Sequence, residues 1–95
     1  MNTSSQLVPK EALANVQFAR EDVLQDPVKI RLRNIYLQKA EKLGNVYKEK
    51  VRMVIKIRDG KILAVETTIW AANDEYITIK GGINIPTKAI LNIVF

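Results

Sequence analysis

Neither cysteine nor histidine occurs among the 95 residues. The chain therefore has no disulfide framework, no cysteine or cysteine–histidine zinc site, and no side chain that titrates near neutrality at its ordinary pKa. Most familiar catalytic constellations go with them. Aromatic residues make up 6% of the chain, so platforms for base stacking are few. Apolar runs are short as well; none approaches the roughly eighteen residues that span a bilayer. The opening Met1 to Gln6 lacks the positive region of a secretory leader. These absences predict a soluble, cytoplasmic chain that does not enter a membrane. The carboxylates Glu66, Asp74 and Glu75 have no partner with which to build a nucleophile–base pair. Gly81-Gly82 lacks the Lys-Ser/Thr ending of a phosphate-binding loop and reads as a tight turn. A protein without enzymatic activity or cofactor is expected.

What the chain does have is apolar content of 47% and a net charge of +5, unevenly placed. Residues 27–50 hold seven basic and two acidic side chains and carry the whole excess, whereas residues 1–26 are mildly negative. Such a stretch is either the solvated face of a helix or the footprint of a polyanion.

Periodicity divides the chain into a leading part, 1–26, and a domain, 27–95. Met1 to Gln6 is small and polar and reads as a flexible start. From Pro9 to Gln25 the residues Ala12, Val16, Ala19 and Val23 share one helical face, which predicts a short helix. Asp26-Pro27 opens a second, since Asp caps free N–H groups and Pro is pre-set for the first helical position. In it Leu32, Ile35, Tyr36, Ala40 and Leu43 recur at helical spacing, and Gly44-Asn45 marks its end. The period then falls to two. Val51, Met53, Ile55 and Ile57 alternate against Arg52, Val54, Lys56 and Arg58, Asp59-Gly60 predicts a type I′ hairpin, and a long strand returns from Lys61 to about Ala72. Leu63, Val65, Thr67, Ile69 and Ala71 lie on one of its faces. Trp70 lies on the other, beneath the helix or against another subunit. Tyr76 to Lys80, Ile83 to Ile85 and Ala89 to Phe95 complete five antiparallel strands, Pro86 marking the last break. Strands this short and twisted bury two faces best by closing. The fold class read from this pattern is mainly β: N-terminal helices followed by a five-stranded antiparallel barrel of the Sm/SH3-like type. Leu32, Ile35, Ala40 and Leu43 are expected to pack on a core of Met53, Ile55, Val65, Ile69, Ile77 and Ile79.

The order Leu24-Gln25-Asp26-Pro27, Leu32-Arg33, Asp59-Gly60-Lys61, Tyr76-Ile77, Lys88-Ala89-Ile90 and Ile93-Val94 resembles the bacterial Sm-like RNA chaperones, over roughly residues 24–95. Ile79-Lys80-Gly81-Gly82 is similar to the apolar-Arg-Gly signature of their second Sm motif. Thr67-Thr68-Ile69-Trp70, Lys80-Gly81-Gly82 and Ile85-Pro86 also resemble a short bacterial family of uncharacterised proteins, which implies no function. The Lys-His pair that contacts RNA in the chaperones falls on Thr87-Lys88, leaving one cation. No glycine bends the second strand between Ala64 and Thr68, so a longer, less bent strand is implied. The resemblance implies an oligomer that closes its edges by strand pairing, and the uncharged Ile90 to Phe95 is a strand in need of a partner. The function expected is sequence-tolerant binding of RNA or another polyanion through Arg31, Arg33, Lys39 and Lys42 on the helix and Lys80 and Lys88 on loops. The alternative is a structural or protein–protein adaptor that oligomerises through its edge strands.

Overall fold

Asp26-Pro27 starts a helix as its chemistry dictates. In the computed structural model, which describes residues 6–95, α1 spans Pro27–Tyr47; the Val28 N–H donates to the Asp26 side chain at 2.9 Å, and Pro27 takes the first turn. The helix does not end at Gly44-Asn45. It continues to Tyr47 and stops at Lys48, whose backbone turns left-handed at φ 59°. There the Lys48 N–H donates to the Gly44 carbonyl, the 5→1 bond of an αL cap, and the Glu49 N–H donates to the Leu43 carbonyl. Gly44 serves a different purpose. A Cβ at this position would overlap the Ile69 carbonyl oxygen and stand 2.9 Å from Thr68 Cγ2, so the absent side chain lets the helix touch a strand.

The strands are β1 (Gln6–Leu7), β2 (Val51–Lys56), β3 (Ile62–Thr67), β4 (Ile69–Ala72), β5 (Tyr76–Ile79), β6 (Ile83–Pro86) and β7 (Ile90–Val94). They form two sheets, in the orders β1-β3-β2-β7 and β4-β5-β6, with β1 parallel to β3 and every other pairing antiparallel. Among the described residues the architecture is thus seven strands in two sheets with one α-helix, and no closed five-stranded barrel. The long strand expected from Lys61 to Ala72 splits at Thr68, half going to each sheet. Thr67, Thr68 and Ile69 are buried in succession, as at a corner, and the Thr68 carbonyl is taken by the Lys80 N–H at 2.9 Å. No glycine was needed for this bend, so the less bent strand implied by its absence is not found.

Two further corrections concern local geometry. Asp59-Gly60 makes a three-residue hairpin loop rather than a type I′ turn: Gly60 donates to Ile57 and Ile57 to the Lys61 carbonyl, and only Gly60 has positive φ. This is a type I turn closed by a glycine bulge. The helix expected over Pro9 to Gln25 is a 3-10 turn at Lys10–Asn15 followed by extended chain. Tertiary pairing overrides the alanine-rich local preference: Phe18 bridges Ile57, and the Arg58 N–H donates to the Gln17 carbonyl at 2.8 Å. Leu13 of the 3-10 turn is fully inside the core, so residues 6–26 are built into the body that holds residues 27–95.

That core lies between the sheets and under α1. Met53, Ile55, Val65, Ile69, Ile77 and Ile79 are all buried in it, as strand alternation predicts. The helix presents Arg33, Leu37, Ala40 and Gly44 to the core. Of the row expected there, only Ala40 is buried; Leu32 and Ile35 are exposed.

Candidate functional site

Five of the six cations singled out from the sequence are exposed, and one is not. Arg33 is 4% exposed, and its guanidinium grips the Asp22 carboxylate with two bonds, Nη1 to Oδ1 and Nη2 to Oδ2, each 2.8 Å. Nη1 also donates to the Ile90 carbonyl at 3.1 Å. One side chain therefore ties the segment before α1, the helix itself and β7 together. Arg33 cannot reach a phosphate chain without leaving this pairing, and its place among the binding cations is corrected accordingly. Bonding to Arg33 holds the Asp22 carboxyl below its usual pKa; partial burial opposes this, while the Leu24 N–H and nearby Lys88 add to it.

The other cations do not form one patch. Arg31, Lys39 and Lys42 are exposed along α1. Lys80 follows the Ile79↔Ile83 end of the β5–β6 pair, whereas Lys88 lies beyond the Tyr76↔Pro86 end, with about 10 Å of strand between.

Three features that sequence reasoning missed gather around α1. Glu41 is the helix's one acid, and its Oε2 accepts the Ala72 N–H at 3.0 Å, so it is turned onto β4. The outward surface of α1 is left with cations and with Val28, Leu32, Ile35 and Val46, all exposed. Beside it, a groove of about 370 Å³ runs between α1 and β7, lined by Leu24, Leu32, Tyr36 and Leu91 with Lys29 at its rim. The Phe95 ring meets the Tyr36 ring edge-on with centroids 5.9 Å apart, and Lys39 Nζ stands 4.7 Å over it. The spacing Arg33, Leu37, Ala40, Gly44 was a legible inner stripe; its arginine and glycine disguised it as polar surface and helix end.

Trp70 is not buried under the helix. The β4–β5 register shifts between Ile69 and Ala71, and this bulge turns Trp70, 46% exposed, and Ala71 outward together. The outer face they occupy also carries Thr78, whose hydroxyl donates to Asn84 at 2.6 Å.

β7 is the outer strand of its sheet. Among the described residues it pairs only with β2, and Leu91 is skipped in that register. No helix among the described residues is long and apolar enough to cross a membrane. No family model, curated protein or solved structure matches the chain.

Proposed function

We propose that the chain is a non-enzymatic module of Sm/SH3-like architecture that works by associating with protein, in the first place with copies of itself through its edge strands. The observation that carries this reading is β7. It ends the four-stranded sheet with one side unpaired, contains no charged residue from Ile90 to Val94, and leaves Val94 and Phe95 half exposed. Such an edge favours strand addition, and β6 ends the three-stranded sheet in the same way. The bent run β3–β4 between the two sheets supports the Sm-like comparison, because a strand shared by both sheets is how small barrels turn a corner. Light scattering on the whole chain tests the reading: a mass that is a multiple of 10.8 kDa, falling to one chain in Val94→Lys, is the expected result. A wild-type mass of one chain at high micromolar concentration rejects it.

Binding of RNA or another polyanion is kept as a second reading because of one observation. Arg31, Lys39 and Lys42 lie exposed on a helix whose lone acid is committed to β4. A ring of such helices would present a continuous positive surface. Retention of short RNA that weakens with salt tests it.

A further inference from the structure

We propose that the outward face of α1 is a docking surface for an acidic amphipathic helix of a partner protein. This goes beyond self-association through β7 and uses a different element.

Val28, Leu32, Ile35, Lys39, Lys42 and Val46 follow one another at steps of four, three, four, three and four residues. That is the spacing of a coiled-coil seam, which brings one side chain per half-heptad onto a single line. The seam lies roughly opposite the buried row Arg33, Leu37, Ala40 and Gly44, so α1 has one seam inside the molecule and a second facing out. The outer seam is uncovered: Val28 is 64%, Leu32 40%, Ile35 53% and Val46 62% exposed. Four aliphatic side chains aligned on one helix face, in a chain whose core is complete without them, form a surface shaped for another helix.

Charge selects the kind of helix. Lys39 and Lys42 occupy the middle of the seam; the Lys39 ammonium stands over the Phe95 ring, while Lys42 is exposed, and long stems of this kind can lie along apolar neighbours with the charge kept in water. Arg31 flanks it. α1 has no carboxylate to answer them, since Glu41 is bonded to the Ala72 amide. Asp74 of the β4–β5 turn borders a second, separate hollow along α1, lined also by Arg31, Ile35 and Gln38, and is the one acid lining it. A partner with apolar residues on its seam and carboxylates on both flanks satisfies both features.

Other occupants fit less well. In an antiparallel pair of α1 helices, Lys39, Lys42 and Arg31 of both copies would share one interface with no carboxylate of either helix free to answer them and only Asp74 beside Arg31. Nucleic acid would meet Val, Leu and Ile, which offer no ring for a base to stack on. A lipid surface calls for apolar and cationic residues on separate faces, whereas here two lysines interrupt the apolar line itself.

The test uses the full chain and a synthetic 21-residue helical peptide with Leu on the seam and Glu on both flanks, followed by calorimetry. Saturable binding, weakened at least tenfold in Ile35→Glu/Lys42→Glu and at least tenfold when the peptide's Glu are changed to Lys, is the expected result. Both substituted positions are exposed, and circular dichroism verifies that the variant is folded. Equal affinity for the acidic and basic peptides, or indifference to the α1 changes, overturns the proposal. So does displacement of the peptide by short RNA or anionic vesicles at equal charge concentration. An assembly that falls to one chain in Ile35→Glu shows a second copy on this face and overturns it as well. Val94→Lys separates the two readings: loss of self-association with peptide affinity within twofold leaves α1 standing by itself, and loss of peptide binding places the peptide on β7 instead.

Discussion

Arg33 and Asp22 are bound by the same two bonds yet differ in what each loses when the other is removed. The Arg33 side chain is 3% exposed and that of Asp22 26%, so an orphaned carboxylate can rehydrate whereas an orphaned guanidinium cannot. Asp22→Ala is therefore expected to cost about 3–5 kcal/mol of unfolding free energy, and Arg33→Met about 1–2 kcal/mol. The double variant should recover much of the larger loss. Urea denaturation of the three variants measures this, and equal costs for the two single changes would contradict the asymmetry. The pair also sets an acid dependence. The Asp22 pKa is lowered on folding, so its stabilisation is complete above the unfolded value of about 4 and lost as pH falls through the folded one. Asp22→Asn should flatten the decline in stability below about pH 4, with little change in slope between pH 6 and 8. The sequence could not reveal this clamp. A lone arginine in a basic stretch reads as surface, and its partner lies eleven residues away in a segment that local preference assigned to a helix.

Gly44 and Lys48 show how two positions within one element exchanged roles. Glycine near the end of a helical pattern ordinarily stops it, yet here it permits contact with β4, and the left-handed stop falls on a lysine. Gly44→Ala gains about 1 kcal/mol of helix propensity but meets the Ile69 carbonyl and Thr68, at an overpacking cost of about 1–3 kcal/mol or more. A net loss of about 1–2 kcal/mol in denaturant midpoint experiments is expected, and a gain would mean that helix and strand can separate freely. Lys48→Gly should act in the opposite sense, adding about 1 kcal/mol by relieving the left-handed backbone. The start of α1 was legible because Asp-Pro capping is local chemistry. The strand pattern of β2, β3 and β5 was legible because alternation records burial directly. The corner at Thr68 and the bulge at Trp70 were not, because each changes which face a residue occupies without changing residue type. Of the outward seam of α1, Leu32 and Ile35 were assigned to the core, Lys39 and Lys42 were read as binding cations, and Val28 and Val46 gave no signal. The candidate cations were legible as types but not as positions, which is why Arg33 was counted with the exposed ones.

At the scale of the whole molecule, the division into a leading segment and a domain gives way to one interdependent body. Leu13 fills the core, β1 extends the four-stranded sheet beside β3, Phe18 bridges Ile57, and Asp22 neutralises Arg33. A fragment of residues 27–95 would lose all four. Emptying the space of a buried leucine costs about 2–5 kcal/mol, and leaving the guanidinium of Arg33 without its carboxylate costs about 3–5 kcal/mol. The stability of a small domain is about 5–15 kcal/mol in total. The fragment should therefore be largely unfolded at 25 °C, with weak far-ultraviolet dichroism and no cooperative urea transition, although every strand from β2 to β7 and all of α1 remain in it. Adding Arg33→Met to the fragment should restore some order, because the change removes the orphaned charge. The cavity left by Leu13 would remain, so recovery should stay partial. Cooperative unfolding of the unmodified fragment at nearly full stability would show that residues 6–26 only rest on the surface, and would return the chain to the two-part organisation read from its periodicity.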